Sequence, residues 1–155
     1  MSLVTNTSHI EVDGDRLLAD LRELATFGKF GPGVDRTAFS EPDIAARYWL
    51  QERMAAAGLD AELDGVGNVI GRSPGAGAGV LIGSHTDSVP KGGWLDGAMG
   101  VIYGLEIARA ARESRDWKTA AIDVVSFQDE EGTFLPCLGS KSLCDEVDDE
   151  AIDQP

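Results

Sequence analysis

Residues 80–87 read VLIGSHTD, an apolar run of the kind found in buried strands that leads directly into a histidine and an aspartate. A second apolar run at 120–127 reads AAIDVVSF, and a helical pattern at 97–112 lies between the two runs. Strand, helix and strand in this order predict a right-handed parallel crossover, because only that connection packs the helix back onto the sheet. The chain is therefore expected to have an α/β layered fold.

The residues before this unit predict two helices and two short strands. Apolar residues recur at helical spacing over 15–27, where Gly28 ends the pattern. Ser40 followed by Asp43 favours a capped helix from there to about residue 57, with Gly58 as its stop. Short strands are expected near 61–63 and 68–71. Residues 28–39 and 73–79 are interpreted as loop and turn, and the acidic tail 145–155 as a solvated loop or first helical turn.

The helix expected at 97–112 carries small residues along one face. Glycine lowers helix stability, so glycines at this spacing favour a backbone that lies very close to the sheet. The small face consists of Gly97, Gly100, Gly104, Ala108 and Ala111.

Composition restricts the classes of function that are open. The chain has 155 residues, enough for one domain with a core, and a net charge of −14, which argues against nucleic acid and anionic membrane surfaces as partners. No apolar run approaches the length of a membrane span, and the N-terminus lacks a signal-peptide layout, so a cytoplasmic location is expected. Cys137 and Cys144 are interpreted as ordinary, partly buried thiols without a disulfide framework.

Potential metal ligands follow the predicted strands and begin the predicted helix. His85 and Asp87 follow the first apolar run, and alternation along an extended chain puts them on the same side. Asp96 is predicted at the N-cap of the helix, where it is either a cap or a metal ligand. Glu130 and Glu131 follow the second run. Alone, each group is more simply a charged surface or loop, but together they offer imidazole and carboxylate ligands suited to Zn²⁺, Mn²⁺, Co²⁺ or Ni²⁺.

These motifs resemble a known family. The segments 83–90, 92–97, 100–101, 127–132 and 138–140 are similar, in this order, to the M20-type metallopeptidase-like amidohydrolases. Within them the sequence is most similar to the hydantoinase/carbamoylase group, which comprises N-carbamoyl-L-amino-acid hydrolases, allantoate amidohydrolases and β-ureidopropionases. The resemblance extends over nearly the whole chain. The short spacing of eleven residues between His85 and Asp96 resembles this group more than the peptidases of the superfamily.

The resemblance implies a fold, a reaction and residue roles. The fold would be the N-terminal part of a three-layer zinc-peptidase-like catalytic domain, with flanking helices. His85 would bind one of two divalent ions, Asp96 would bridge both and Glu131 would bind the other. Glu130 would be the general base, and Asp87 would orient His85. The reaction would hydrolyse a non-peptide C–N bond in a small N-carbamoyl amino acid or in a ureido substrate such as allantoate, in a protein that forms homodimers at full length.

Part of this pattern is missing from the sequence. The family's two further histidine ligands have no counterpart, because His9 is the only other histidine, so the matching region offers three of five ligands. The lid or dimerisation domain and the later catalytic segment are also missing, which predicts a partial metal site with weak binding and little activity. The alternatives are a non-catalytic truncated fragment or interaction module, and a peptidase of the same superfamily. The resemblance further implies a cis peptide between Asp96 and Gly97.

Overall fold

A four-stranded mixed sheet forms the centre of the protein, whose computed structural model describes residues 9–74 and 79–147. In chain order the helices and strands are α1 (Gly14–Leu24), β1 (Lys29–Phe30), β2 (Gly33–Val34), α2 (Glu41–Ala56), β3 (Asp60–Leu63), β4 (Val69–Arg72), β5 (Val80–His85), α3 (Ala98–Glu113), β6 (Ile122–Phe127) and α4 (Leu138–Leu143). The sheet order is β3-β4-β6-β5, and β1 pairs with β2 in a separate hairpin.

The predicted crossover is confirmed in its parallel pairing. β5 and β6 run side by side in the same direction, and His85 lies opposite Phe127 at their carboxyl ends. β4 is antiparallel to β6 and begins with Val69 opposite Ser126. The turn between β3 and β4 therefore reaches the same end of the sheet as His85.

The helices cover the sheet unequally. Val69 and Val124 belong to a buried cluster with residues of α1, α2 and α3, so these three helices pack on one face. Ile70 and Val125 alternate with them and line a cavity of about 190 Å³ with Leu143 of α4. Helices thus flank both faces, as the α/β layered prediction requires. No helix in the described ranges combines the length and apolarity needed to cross a membrane.

The small face of α3 lies against β5, as predicted. A Cβ added to Gly100 would stand 2.8 Å from the Cβ of Ser84, and one added to Gly104 would stand 3.0 Å from Cγ2 of Ile82. Glycine therefore sets the close approach of α3, which brings its first turn toward His85.

The capped start of α2 is confirmed. The backbone N–H of Asp43 donates to the hydroxyl of Ser40 over 3.4 Å, and the helix ends just before Gly58, whose φ is +79°. The first helix ends at Leu24, earlier than predicted, because hydrogen-bonded turns occupy the residues before Gly28.

Some predictions differ from the structure. Residues 28–39 contain the hairpin β1–β2 and are not only loop, and α4 was not predicted. Cys137 and Cys144 are both free thiols, as expected, but Cys144 is exposed, so the expected partial burial is wrong for it. Parts of the predicted turn at 73–79 and of the acidic tail fall at 75–78 and 148–155, outside the described residues.

Candidate metal centre

His85 is the buried centre of the candidate site. It ends β5, where only 5% of its surface is exposed. Its Nδ1 lies 3.0 Å from the backbone carbonyl oxygen of Asp87 and 3.7 Å from the carboxylate Oδ1 of the same residue. A carbonyl oxygen only accepts hydrogen bonds, so we assign the proton to Nδ1, which leaves the lone pair of Nε2 free.

Two acidic side chains reach His85 from the segment that follows β6. Oε2 of Glu130 lies 3.4 Å from Nε2 of His85. Possible ligand atoms of His85, Glu130 and Glu131 all lie within 4.8 Å of one another. The carboxyl ends of the parallel pair β5 and β6 thus bring together one imidazole and two carboxylates that are distant in sequence.

This arrangement fits a divalent cation. With the proton on Nδ1, Nε2 of His85 and Oε2 of Glu130 are both acceptors, and two acceptors this close are favourable only with a proton or cation between them. Partial burial raises the pKa of Glu131, and the negative charges of Asp96, Glu130 and Asp87 raise it further against the opposing effect of His85. One nitrogen and several carboxylate oxygens form a donor set suited to Zn²⁺, Mn²⁺, Co²⁺ or Ni²⁺.

Asp96 lies near this group but not within it. Its charge acts on Glu131, yet its carboxylate is exposed and is not among the atoms within 4.8 Å of one another. The N-cap of α3 is Gly97, without a side-chain cap hydrogen bond, so the prediction of Asp96 as N-cap is wrong.

Gly97 explains both this correction and a second one. Its φ of +62° turns the chain into α3 one residue after Asp96. Every peptide bond within the described ranges is trans, so the predicted cis bond between Asp96 and Gly97 is wrong. A Cβ at Gly97 would stand 2.4 Å from Nε2 of His85, so only glycine fits against the imidazole here.

Asp87 connects the two sides of the site. Its Oδ2 accepts a hydrogen bond from the backbone N–H of Glu131 over 3.2 Å, and its Oδ1 lies 3.7 Å from the guanidinium of Arg47. Burial raises the pKa of Asp87, although the N–H of Glu131 and the charges of His85 and Arg47 act in the opposite direction. The backbone carbonyl of Asp87 lies closer to Nδ1 of His85 than its carboxylate does, and the orienting role of Asp87 stays a prediction.

Two buried arginines behind the site were missed from the sequence. Arg47 donates to the backbone carbonyl of Gly67 over 3.1 Å and to that of Phe127 over 3.2 Å. Arg36 donates to the carbonyl of Thr86 over 2.6 Å, and burial lowers its pKa to about 10. These arginines attach the segments that carry His85 and Glu131 to the surrounding helices.

A sequence signal existed for one of the two. Asp43, Arg47, Leu50 and Met54 share a helical stripe, and all four are buried in the structure. A charged pair within an apolar stripe indicates a buried ion pair. Arg36 lies outside any helix or strand, and no pattern in the sequence distinguishes it.

The fold and the site together define a class of protein. A mixed α/β sheet brings a histidine and two glutamates together at the carboxyl ends of adjacent parallel strands, with ligand atoms close enough to hold a metal ion. Residues 68–154, more than half of the chain, match the family model of peptidase family M28, and the chain belongs to this family. The M20-type label stays a prediction, because the matching model is that of M28.

Known structures confirm the resemblance to the hydantoinase/carbamoylase group. An amidase of the hydantoinase/carbamoylase family from Burkholderia phymatum superposes with a TM-score of 0.91 at 53% identity, covering 93% of this chain and 36% of that chain. A proposed zinc-dependent exopeptidase from Bacteroides vulgatus has a TM-score of 0.65 at 26% identity, covering 85% of this chain and 53% of that chain.

Curated relatives agree with this assignment. An N-carbamoyl-L-amino-acid amidohydrolase from Paenarthrobacter aurescens is 34% identical over 148 residues, which are 92% of this chain and 36% of the relative. A ureidoglycolate hydrolase from Oryza sativa subsp. japonica is 37% identical over 143 residues, which are 88% of this chain and 30% of the relative. The chain thus spans about a third of the length of these relatives.

Proposed function

We propose that this protein contributes the first part of the metal site of an amidohydrolase. The substrate would be an N-carbamoyl amino acid or a ureido compound such as allantoate, cleaved at a non-peptide C–N bond. The relatives named above act, by their names, on N-carbamoyl-L-amino acids and ureidoglycolate. The chain spans about a third of the length of these relatives. The activity is therefore proposed for a whole enzyme to which this chain contributes.

Three residues would hold two divalent ions. His85 would bind one ion, Glu131 the other, and Asp96 would bridge them. Support comes from the cluster of His85 with Glu130 and Glu131 and from the charge of Asp96 acting on Glu131. When bound, such ions supply a water nucleophile at neutral pH and polarise the substrate carbonyl.

Glu130 would then act as the general base. It would take a proton from the attacking water and pass it to the leaving nitrogen. Hydrolysis of a carbamoyl substrate consumes one water and gives the free amine, carbon dioxide and ammonia. Buried Asp87 and the close backbone of Gly97 would keep His85 oriented and exclude solvent from one side of its ring.

One observation carries the proposal. Nε2 of His85 faces Oε2 of Glu130 over 3.4 Å, with Glu131 beside them. Two acceptors facing each other inside a group of carboxylates are favourable only with a proton or a cation between them. A structural histidine whose single proton is on Nδ1 would instead face a hydrogen-bond donor or an apolar surface.

Metal binding by this chain tests the site directly. We expect added Co²⁺ to give a visible d–d absorption spectrum that is lost in His85→Ala and strongly reduced in Glu131→Gln. The matched control is His9→Ala, which removes the other histidine of the chain. Equal Co²⁺ spectra in the wild type and His85→Ala would overturn the proposed site.

Ammonia release tests the reaction. The chain would be incubated with Mn²⁺ and N-carbamoyl-L-amino acids, N-carbamoyl-β-alanine or allantoate, and Glu130→Gln would serve as the control. With a partial ligand set we expect weak release, reduced in Glu130→Gln by about 10²–10⁴-fold if the base role is correct. Equal release by both would contradict this role. Metal binding without release would favour a non-catalytic module.

A peptidase is the second candidate function, because the matching family is named for peptidases. Dipeptides offered under the same conditions would separate the two. Faster cleavage of dipeptides than of N-carbamoyl amino acids would favour the peptidase.

We also propose the setting in which this activity takes place. A net charge of −14 favours a small-molecule substrate over nucleic acid or an anionic membrane as the partner. A cytoplasmic location and a homodimer at full length are proposed on the resemblance to the family. Sedimentation of the purified protein and fractionation of the source cells would test these two points.

A further inference from the structure

Asp129 is a fully buried acid next to the candidate ligands, and the proposed reaction assigns it no role. Its relative exposure is 0%, and its φ of +51° is in a region that few residues other than glycine, asparagine and aspartate adopt. A charged group in a strained and buried position needs strong compensating contacts.

Those contacts are three backbone N–H groups of the following loop. Oδ1 of Asp129 accepts from Thr133 over 2.6 Å, and Oδ2 accepts from Phe134 over 2.9 Å and from Leu135 over 2.7 Å. Hydrogen bonds to an ionised carboxylate are shorter and stronger than neutral ones. The carboxylate thus draws the loop into a closed ring of backbone around its own side chain.

The two glutamates of the site are part of this ring of backbone. Glu130 and Glu131 lie between Asp129 and the residues whose N–H groups it binds. A backbone hydrogen bond from Cys137 to Glu130, over 3.3 Å, closes the far side of the loop. Glu131 also donates its own N–H to Asp87. The direction of both glutamate side chains toward His85 therefore depends on the shape of this loop.

We propose that Asp129 is a positioning residue that sets the affinity and geometry of the divalent-cation site by holding Glu130 and Glu131 toward His85. The inference rests on the proposed metal site and adds a determinant of it. Asp129 does not touch the ion in this account. It acts through the backbone of residues 130–135.

Asp129→Asn is the informative variant. Asparagine tolerates a positive φ and has nearly the same shape, but its amide group presents donors where a carboxylate oxygen accepted. At least one of the three N–H groups then loses its acceptor. We expect affinity for Co²⁺ to fall about 10–100-fold, the effect typical of residues that orient metal ligands, with a changed d–d spectrum.

The chain contains a matched control. Asp64, in the turn between β3 and β4, uses Oδ1 to accept from the backbone N–H groups of Val66, Gly67 and Asn68 over 3.0, 2.9 and 2.8 Å. Asp64→Asn therefore disturbs a similar carboxylate–backbone turn at the same end of the sheet, in a segment that carries neither glutamate. We expect this variant to keep the affinity for Co²⁺ and the d–d spectrum of the wild type.

The pair of variants separates positioning from loss of stability. Weaker Co²⁺ binding in Asp129→Asn alone supports the proposal. Equal weakening in both variants, or unchanged binding in Asp129→Asn, overturns it. Glu131→Gln is measured alongside, and wild-type binding in that variant would show that the metal site itself is wrong and would remove the proposal with it.

A measurement on the unaltered chain covers the case in which Asp129→Asn does not fold. If the loop orders the ligands, then a bound ion must in turn stabilise the loop, because coupling between two equilibria is reciprocal. Saturating Zn²⁺ should slow hydrogen exchange at the amides of Thr133, Phe134 and Leu135, and leave the amides of Val66 and Gly67 unchanged. Exchange at 133–135 that does not respond to Zn²⁺ would overturn the proposal.

Discussion

Two clusters of arginines and carboxylates stabilise this molecule, and they differ in how completely their oxygens are hydrogen-bonded. Between α1 and α3, the carboxylate of Glu106 accepts from the backbone of Asp13 over 2.8 Å and from the guanidinium of Arg16 over 2.8 and 2.9 Å. Arg109 contacts Asp20 in the same cluster. Both oxygens of the buried Glu106 have donors.

The cluster behind the candidate metal centre is less complete. Nε of Arg47 lies 3.1 Å from both carboxylate oxygens of Asp43, but it donates its hydrogen bond only to Oδ2. Oδ1 of Asp43, Oδ1 of Asp87 and Oε1 of Gln128 are buried without a hydrogen bond. Within the described residues, no other buried side-chain oxygen lacks a hydrogen bond.

The difference separates stability from function. A buried acceptor without a donor costs about 1–3 kcal/mol, so the cluster at the site should stabilise the fold less than the cluster between the helices does. Such a cost at a site is expected where charged groups are arranged for a ligand more than for the fold alone. Substitutions in the two clusters test this interpretation.

The largest effect is expected for Arg47→Met. Removing this guanidinium leaves Asp43 and Asp87 as buried charges without their partner, and breaking a buried pair in this way costs about 3–5 kcal/mol. Urea denaturation would measure the free energy of unfolding. Arg53→Met, which removes a partly exposed arginine paired with Glu23, is the control and should cost less than about 1 kcal/mol. If Arg47→Met lowered the free energy of unfolding by less than the control variant does, Arg47 would not be the partner that stabilises these buried carboxylates.

An effect of intermediate size is expected when Glu106→Gln and Asp87→Asn are compared in their free energies of unfolding. Glu106→Gln should cost about 1–3 kcal/mol, because an amide group replaces an oxygen that accepts hydrogen bonds in a buried position. Asp87→Asn should cost less than about 1 kcal/mol, because Oδ1 of Asp87 has no donor to lose and burial already disfavours its charge. A larger loss of unfolding free energy in Asp87→Asn than in Glu106→Gln, measured by the same urea denaturation, would contradict the difference drawn between the two clusters.

The smallest effect concerns pH and the exposed edge of the helix cluster. The hydrogen bond from Arg16 lowers the pKa of Glu113 below its usual 4.5. The stabilisation from this pair is therefore complete above about pH 4.5 and is lost as the pH falls through the lower pKa of the folded state.

Glu113→Gln isolates this contribution. The side chain of Glu113 is largely exposed. The free energy of unfolding of the wild type should therefore exceed that of Glu113→Gln by only about 0.2–1 kcal/mol at neutral pH, and by less in high salt. Thermal unfolding of both proteins across the acid range would measure the difference. A difference that grows as the pH falls would contradict the assigned pairing.

Much of the fold could be predicted because it depends on local patterns. The apolar runs that became β5 and β6, the helical stripe of α2 and the cap at Ser40 are all encoded by residues close together in sequence. The short hairpin β1–β2 and α4 were missed. Each spans six residues or fewer, and periodicity has little signal at that length.

The candidate site divides in the same way. His85, Glu130 and Glu131 could be chosen from residue type, from their position after apolar strands and from family resemblance. Asp129 could not be chosen in this way, because no local pattern shows that its carboxylate turns back to the N–H groups of 133–135.

The sequence by itself determined the α/β class, the parallel pair of strands and the residue types that could bind a metal. The tertiary structure decided which of those residues meet. It brought Glu130 next to His85, left Asp96 exposed and buried Arg47 between Asp43 and Asp87. The physical reason is that secondary structure follows from neighbours along the chain, whereas the partners of a buried charge come from separate elements and are fixed only when those elements pack.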